Sequence, residues 1–350
     1  MAILFLLLFV TGYDTPTGQS VEIPLLMPKI SPLVEDSTLC TAIQIPDQET
    51  FYITRVSLNV SEKLAHHVLV YGCSRPGYLS PDDPQAVWNC AHTADTEVDH
   101  RFPRHKKDCQ DGEPDTLMFN YAHGGHDLIM PEGVGFRVGA GTRIAYLVLE
   151  VHYYDVAQFP AGATDQTGVI MEMLPRSAES FRGTVGYLLL DDGGGFLPAH
   201  QVEHFEGACR LNDSTPVHLF SFFGHTHDLG TVVSAWKIDG KTNKWSLIQR
   251  SDPQLHAGHL PVINGEVVLE EGDYIAHRCT FNNTRDHGVS YGLTADDEMC
   301  LVHGLYFQEE DDVAPMIECT TAGPPNYYWN SDPNIQPVPE WVDREASLLD

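Results

Sequence analysis

The 350 residues carry 42% hydrophobic and 20% charged side chains, which is enough apolar material for a sizeable core and excludes a globally disordered chain. Twenty Lys and Arg against forty-nine Asp and Glu leave a formal charge of −29, which repels phosphate backbones and anionic lipid heads and argues against nucleic-acid or membrane-surface roles. The length fits two ordinary domains or one large β-domain.

The chain opens on an apolar run, Ala2–Val10 (AILFLLLFV), about half the length that a membrane span needs. Polar, turn-rich Thr11–Ser20 follows, so residues 1–20 read as a secretory signal, although no Lys or Arg precedes Lys29. A buried N-terminal strand is the alternative for this segment alone. No later run approaches its length, so no membrane span is expected. Eight Cys are spread over the chain without a CxxC pair, and N-x-S/T sequons occur at Asn59, Asn212 and Asn282. Leader, cysteines and sequons together predict a disulfide-bonded glycoprotein, secreted or held in a secretory-granule lumen.

Strand signals dominate from there on. Arg143–Tyr154 (RIAYLVLEVHYY) is apolar on both faces, as a strand buried in a sandwich should be. Gly168–Leu174 is strand-like and ends at a polar patch, Pro175–Glu179, which divides the cysteines four and four and marks a domain boundary. Shorter runs follow at Val217–Phe223, Val232–Ile238, Trp245–Ile248, Val267–Leu269 and Val302–Phe307. Turn clusters separate them, among them Asp191–Gly195, Asp239-Gly240 and Glu271–Asp273. No segment holds a helical period for fifteen residues. The pattern predicts an all-β sandwich or barrel.

Eighteen His is a heavy load, but His92, His100, His105, His123 and His126 sit in polar stretches that need no special account. Three places differ. His66-His67 lies in an apolar segment, His152 near the end of the buried strand, and His225 and His227 form H-T-H directly after VHLFSFFG. Residues i and i+2 of a strand share a face, so His225 and His227 present two imidazoles to one metal. His66 and His67 would point to opposite faces of a regular strand and converge only at a strand end or bulge, or through different ring nitrogens. An H-x-H is as often two polar residues on one solvated face, but an apolar, aromatic approach strand weighs against that here. The H-x-H-x-D-H spacing of metallo-β-lactamases fails, because Asp228 follows His227 directly.

Six stretches carry a specific resemblance: HHVLVYGC (66–73), PEGVGFRVG (131–139), LEVHYYD (149–155), GHTHDLGTVVSAWKI (224–238), WSLIQRSDPQL (245–255) and DDEMC (296–300). Taken in order over residues 36–335, they resemble the copper type II, ascorbate-dependent monooxygenases, and most of all the branch that hydroxylates peptidylglycine. The resemblance implies two consecutive jelly-roll-like antiparallel β-sandwich domains, 21–175 and 176–335, with a tail at 336–350 and one copper on each domain across an open cleft. His66, His67 and His152 resemble the ligands of the first copper, which relays electrons from ascorbate. His225, His227 and Met299 resemble those of the second, which binds O2 and abstracts hydrogen; these three are the expected catalytic set. A thioether suits Cu(I) and is an odd ligand for zinc or magnesium, whereas without the resemblance Met299 reads as a core methionine. The implied disulfides are Cys40–Cys90, Cys73–Cys109, Cys209–Cys319 and Cys279–Cys300.

The substrate clamp departs from that pattern. The peptidylglycine branch grips a terminal carboxylate with an Arg two residues before H-x-H, and with an Asn and a Tyr one and three residues after the DEMC cysteine. Phe223, Leu301 and His303 stand there, and strand alternation puts them on the faces of the second metal set. Protonation of His303 would restore part of the missing charge as pH falls, and Arg278 or Lys237 are the candidates should the carboxylate be held elsewhere. The expected activity is hydroxylation of the glycine α-carbon of glycine-extended peptides, with copper, ascorbate and O2, and with a separate lyase to complete amidation. The alternatives are the same chemistry on a small aromatic or amine substrate, as in the dopamine β-monooxygenase branch, or a catalytically silent copper-binding protein.

Overall fold

The computed structural model describes residues 19–61, 64–80, 82–83, 85–90, 98–104, 107–110, 116–122, 124–153, 156–157, 162–178, 181–255, 258–292, 294, 296–309 and 314–349. Nearly all of the apolar leader, with His92, His105, His123, Tyr154 and Asp155, lies outside these residues. The described chain is almost entirely β, with a single short α-helix, Glu340–Glu345. Strands form at all of the predicted runs: Tyr146–Tyr153, Gly168–Pro175, Val217–His225, Gly230–Ile238, Trp245–Ser251, Val267–Leu269 and Leu301–Gln308.

One long sheet is the spine. Its strands run Val21–Leu26, Gly168–Pro175, Thr50–Asn59, Val134–Gly139, Gly183–Asp192, Leu301–Gln308, Val217–His225 and Leu260–Pro261 in spatial order. Over the first half of this spine lies a five-stranded antiparallel sheet, in the order Trp88–Asn89, Ser37–Gln44, Tyr146–Tyr153, Ala65–Cys73 and Thr116–Ala122. Over the second half lies a four-stranded one, Gln201–Arg210, Tyr274–Asn283, Gly230–Ile238 and Trp245–Ser251. Each half is thus a sandwich of two sheets.

Tyr146–Tyr153 is apolar on both faces because it is central in its sheet. Leu147, Leu149 and Val151 face the inter-sheet core, while Val148 packs outward against Trp88 and the sulfurs of Cys40, Cys73, Cys90 and Cys109. Those sulfurs form Cys40–Cys90 and Cys73–Cys109; Cys209–Cys319 and Cys279–Cys300 close the second half. No bridge links one half to the other. Loops of these lengths, from 21 to 110 residues, correspond to roughly 3–5 kcal/mol each in the chain-entropy account.

The halves are joined through the spine instead. Val134–Gly139 and Gly183–Asp192 pair in parallel, Val134 with Gly183 and Gly135 with Thr184. The first half's core accordingly takes in Val185, Tyr187, Phe220, Leu305 and Phe307 from the second. Residues beyond 328 also pack down, with Trp329, Ile335, Val342 and Ala346 buried against Trp236, Trp245 and Ala276 of the four-stranded sheet.

A shared core has a measurable consequence. Phe307→Ala should cost about 3–5 kcal/mol, as for a fully buried aromatic, and the loss should appear in both halves. Amide exchange at Val68–Val70 and at Val233–Ala235 should accelerate by the same factor. Acceleration confined to residues after 183 would show that the halves are independently stable.

Candidate metal centres

His66 and His67 stand at the start of the Ala65–Cys73 strand, where a regular pleat would send them to opposite faces. The register shows how they converge. Ala65 opposes Tyr153 and His67 opposes His152, so His66 is an extra residue bulged out between paired positions. His152 joins them from the central strand. One ligand nitrogen from each of the three lies within 4.8 Å of the others. His152 Nε2 is 2.8 Å from Asp36 Oδ1, which leaves Nδ1 as the nitrogen free to bind. Asp36 makes this contact from a left-handed backbone, with φ of 60°, just before the Ser37–Gln44 strand.

The second cluster is built at the end of Val217–His225. That strand pairs with Leu301–Gln308, setting Phe223 opposite His303 and His225 opposite Leu301. His225 and His227 have ring centroids 5.6 Å apart. Thr226-His227-Asp228-Leu229 then turns into the next strand at Gly230, where an added Cβ would lie 1.9 Å from Thr226 Oγ1; only glycine fits. The buried Glu298 carboxylate accepts from the backbone N–H of His227 at 3.0 Å and of Leu229 at 2.6 Å. His227 Nδ1 is 3.0 Å from the Asp297 carbonyl, so it donates there and leaves Nε2 free. Gln254 Nε2 donates to the His227 carbonyl at 2.7 Å. Met299 is buried in this same segment, between Glu298 and the Cys279–Cys300 bridge.

The two clusters do not face each other across an open cleft. The His67 and His225 rings are 6.3 Å apart, edge to face, so imidazoles from both halves adjoin. Burial holds the His67 pKa well below the ordinary histidine value, with His66 and His225 adding to the effect. His225 is pushed down to about 4, again by burial first and then by His227 and His66. Neutral rings with free lone pairs are ligands for a cation. Two further groupings, Cys40-Cys90-Asp108-Glu150 and Asp192-His277-Cys300, offer only disulfide sulfurs in place of thiolates and are not metal sites.

The wall beside the second cluster is neutral. Phe223 and His303 are buried and stacked, with centroids 5.4 Å apart, and Leu301 is half-buried. Tyr187 Oη lies 2.9 Å from His303 Nδ1. Burial drives the Tyr187 pKa well above and the His303 pKa well below their ordinary values, so the phenol donates and the imidazole accepts. Desolvation and a hydroxyl donor thus keep the His303 ring uncharged, so it does not supply the positive charge that its protonation would bring. Arg278 and Lys237 are engaged elsewhere. Arg278 binds Glu206 and Asp343 under the C-terminal helix, and Lys237 lies 2.8 Å from Asp273.

Comparison with known proteins bears on both clusters. The N-terminal domain of the copper type II ascorbate-dependent monooxygenases matches residues 23–160, and the C-terminal domain of that family matches residues 184–332. A peptidyl-glycine alpha-amidating monooxygenase A of Xenopus laevis is 31% identical over 326 residues, 93% of this chain and 32% of that protein. The peptidyl-glycine alpha-amidating monooxygenase of Mus musculus is 27% identical over 316 residues, 90% of this chain and 30% of its own length. DBH-like monooxygenase protein 1 of Gallus gallus is 23% identical over 283 residues, covering 77% of this chain and 44% of that protein. The chain spans about a third of the length of the amidating relatives, at 32% and 30%.

Sequence reasoning did not find Asp36, and its contact is testable. Asp36→Ala should weaken copper binding at the three-histidine cluster by about 10–100-fold, the usual effect of removing a ligand's outer partner. A chelator-competition titration resolving the two sites measures this. Unchanged affinity at that site would leave Asp36 without a role in holding metal.

Proposed function

Because the chain belongs to the copper type II ascorbate-dependent monooxygenase family, we propose that it is a two-copper enzyme that hydroxylates the glycine α-carbon of C-terminally glycine-extended peptides. Ascorbate is the reductant and O2 the co-substrate. The observation that carries this reading is the convergence of three imidazoles at one cluster, with two more and a buried thioether segment beside it. The donor types suit copper in both oxidation states. Bound copper would supply one-electron chemistry, so that one atom of O2 enters the C–H bond and the other leaves as water.

The protein's own groups do the rest. His66, His67 and His152 would hold the first metal, with Asp36 orienting His152. His225, His227 and Met299 would hold the second, with Glu298 and the Asp297 carbonyl fixing the loop and the His227 tautomer. Phe223, Leu301, His303 and Tyr187 would form the substrate side, where an apolar surface excludes water from the reacting C–H bond. We place the two domains at 21–175 and 176–335. Exposed Asn59, Asn212 and Asn282 support glycosylation, and the disulfides support a secretory location. A separate lyase would complete amidation. The neutral Phe223–His303 wall favours a second reading, a small aromatic or amine substrate.

Oxygen uptake by copper-loaded protein with ascorbate separates these readings, comparing a glycine-extended peptide with phenethylamines. Peptide-dependent uptake is expected, and His225→Ala should abolish it while leaving the fold intact. Uptake with neither substrate class would contradict the enzyme reading altogether. Without a guanidinium on the wall, peptide KM should be high. Phe223→Arg should raise peptide kcat/KM by roughly 10–150-fold, the value of about 1.5–3 kcal/mol for a hydrogen bond to a charged group. An unchanged kcat/KM would show that the carboxylate is held somewhere other than this wall.

A further inference from the structure

His259 is buried where the two halves meet, and no role assigned above uses it. It precedes Leu260–Pro261, which pairs with Phe222 and Ser221 of the strand that ends in His225. Its Nδ1 lies 2.8 Å from Ser221 Oγ, and its Nε2 lies 2.8 Å from Asn120 Oδ1. Ser221 is four residues before His225 on the same strand. Asn120 belongs to the other half, on Thr116–Ala122, which pairs directly with Ala65–Cys73 and sets Ala122 opposite His67. One imidazole therefore connects the strand of His225 to the immediate neighbour of the strand of His67.

Both bonds are buried and both are satisfied. The Asn120 oxygen only accepts, so Nε2–H donates to it and Nδ1 accepts from the Ser221 hydroxyl. That pattern requires a neutral ring, and burial pushes the His259 pKa down to about 3. Phe223 and Tyr187 pack around the ring, with centroids 5.8 and 6.4 Å away. The preceding residue is also in close approach across the junction: an added Cβ at Gly258 would lie 3.4 Å from Gly125 Cα.

We propose that His259 is a positioning residue, a bridge that keeps the two histidine clusters adjoining at the junction. The parallel pairing of Val134 with Gly183 holds the halves along the spine, and the His259 bridge closes them at the imidazoles. Without it, the halves should part at the clusters while remaining joined at the spine. The bridge itself does not depend on metal; its value to catalysis rests on the two-copper reading above.

The test starts from the metal-free protein with disulfides intact. His259→Phe keeps the volume and removes both hydrogen bonds, and Asn120→Ala removes only the one that crosses the junction. Amide exchange at residues 117–122 and 219–225 should rise about tenfold in Asn120→Ala, the factor for one buried hydrogen bond of about 1.4 kcal/mol, and at least as much in His259→Phe. Exchange at the interior strands Val148–Val151 and Val233–Ala235 should not change. His259→Gln, which retains a donor and an acceptor, should recover most of the protection. Unchanged exchange at the junction in both variants would overturn the bridge, as would an equal rise everywhere, which marks general packing loss. In the copper-loaded oxidised protein, dipolar coupling between the two Cu(II) spins should weaken in His259→Phe and return in His259→Gln. Absence of coupling in the wild type, beside the expected exchange result, would contradict the two-copper reading and leave the bridge standing.

Discussion

Imidazoles from two different sheets meet at this junction, with the His67 and His225 rings 6.3 Å apart, and burial keeps those two rings uncharged. A charged ring at His67 or His225 would be desolvated and would repel its neighbours. Kept neutral, each ring offers a lone pair, and the repulsion that opposes protons becomes attraction for a metal cation. The neighbouring wall obeys the same constraint. Burial keeps His303 and His259 neutral, and the hydroxyl of Tyr187 and the contacts of His259 with Ser221 and Asn120 match that state.

The scaffold meets this demand with backbone devices rather than with bulk. A single-residue bulge at His66 lets adjacent histidines share one side, and the glycine at 230 lets the chain turn directly after His227. Buried Glu298 spans two backbone amides of that turn, so the segment carrying Met299 and the loop carrying His227 hold one another. Substituting Glu298 would therefore affect both sides of the second cluster together.

What the sequence revealed follows from how local each feature is. His225 and His227 were legible from the period of two, and the strands flanking them from unbroken apolar runs. The convergence of His66 and His67 was not settled by local pattern, because a bulge is defined by the partner strand. Gln201–Arg210 and Tyr274–Asn283 are less apolar and were missed, although each carries a cysteine that closes the second half. Asp36 lies 116 residues from His152 and has no local signature. The protonation state of His303 was not legible for the same reason: its desolvation is set by surroundings such as Tyr187 and Phe223, which come from other segments. The ion pairs of Arg278 and Lys237 are likewise tertiary.

The central claim is that this junction holds two copper ions with unlike ligand sets. X-ray absorption at the copper edge of the reduced, fully loaded protein tests it most directly, with wild type and Met299→Ala compared at measured stoichiometry. The account predicts two coppers per chain, imidazole scattering at both sites, and one sulfur shell that disappears in Met299→Ala while the imidazole scattering remains. A single bound metal, or a wild-type spectrum with no sulfur shell, would contradict it.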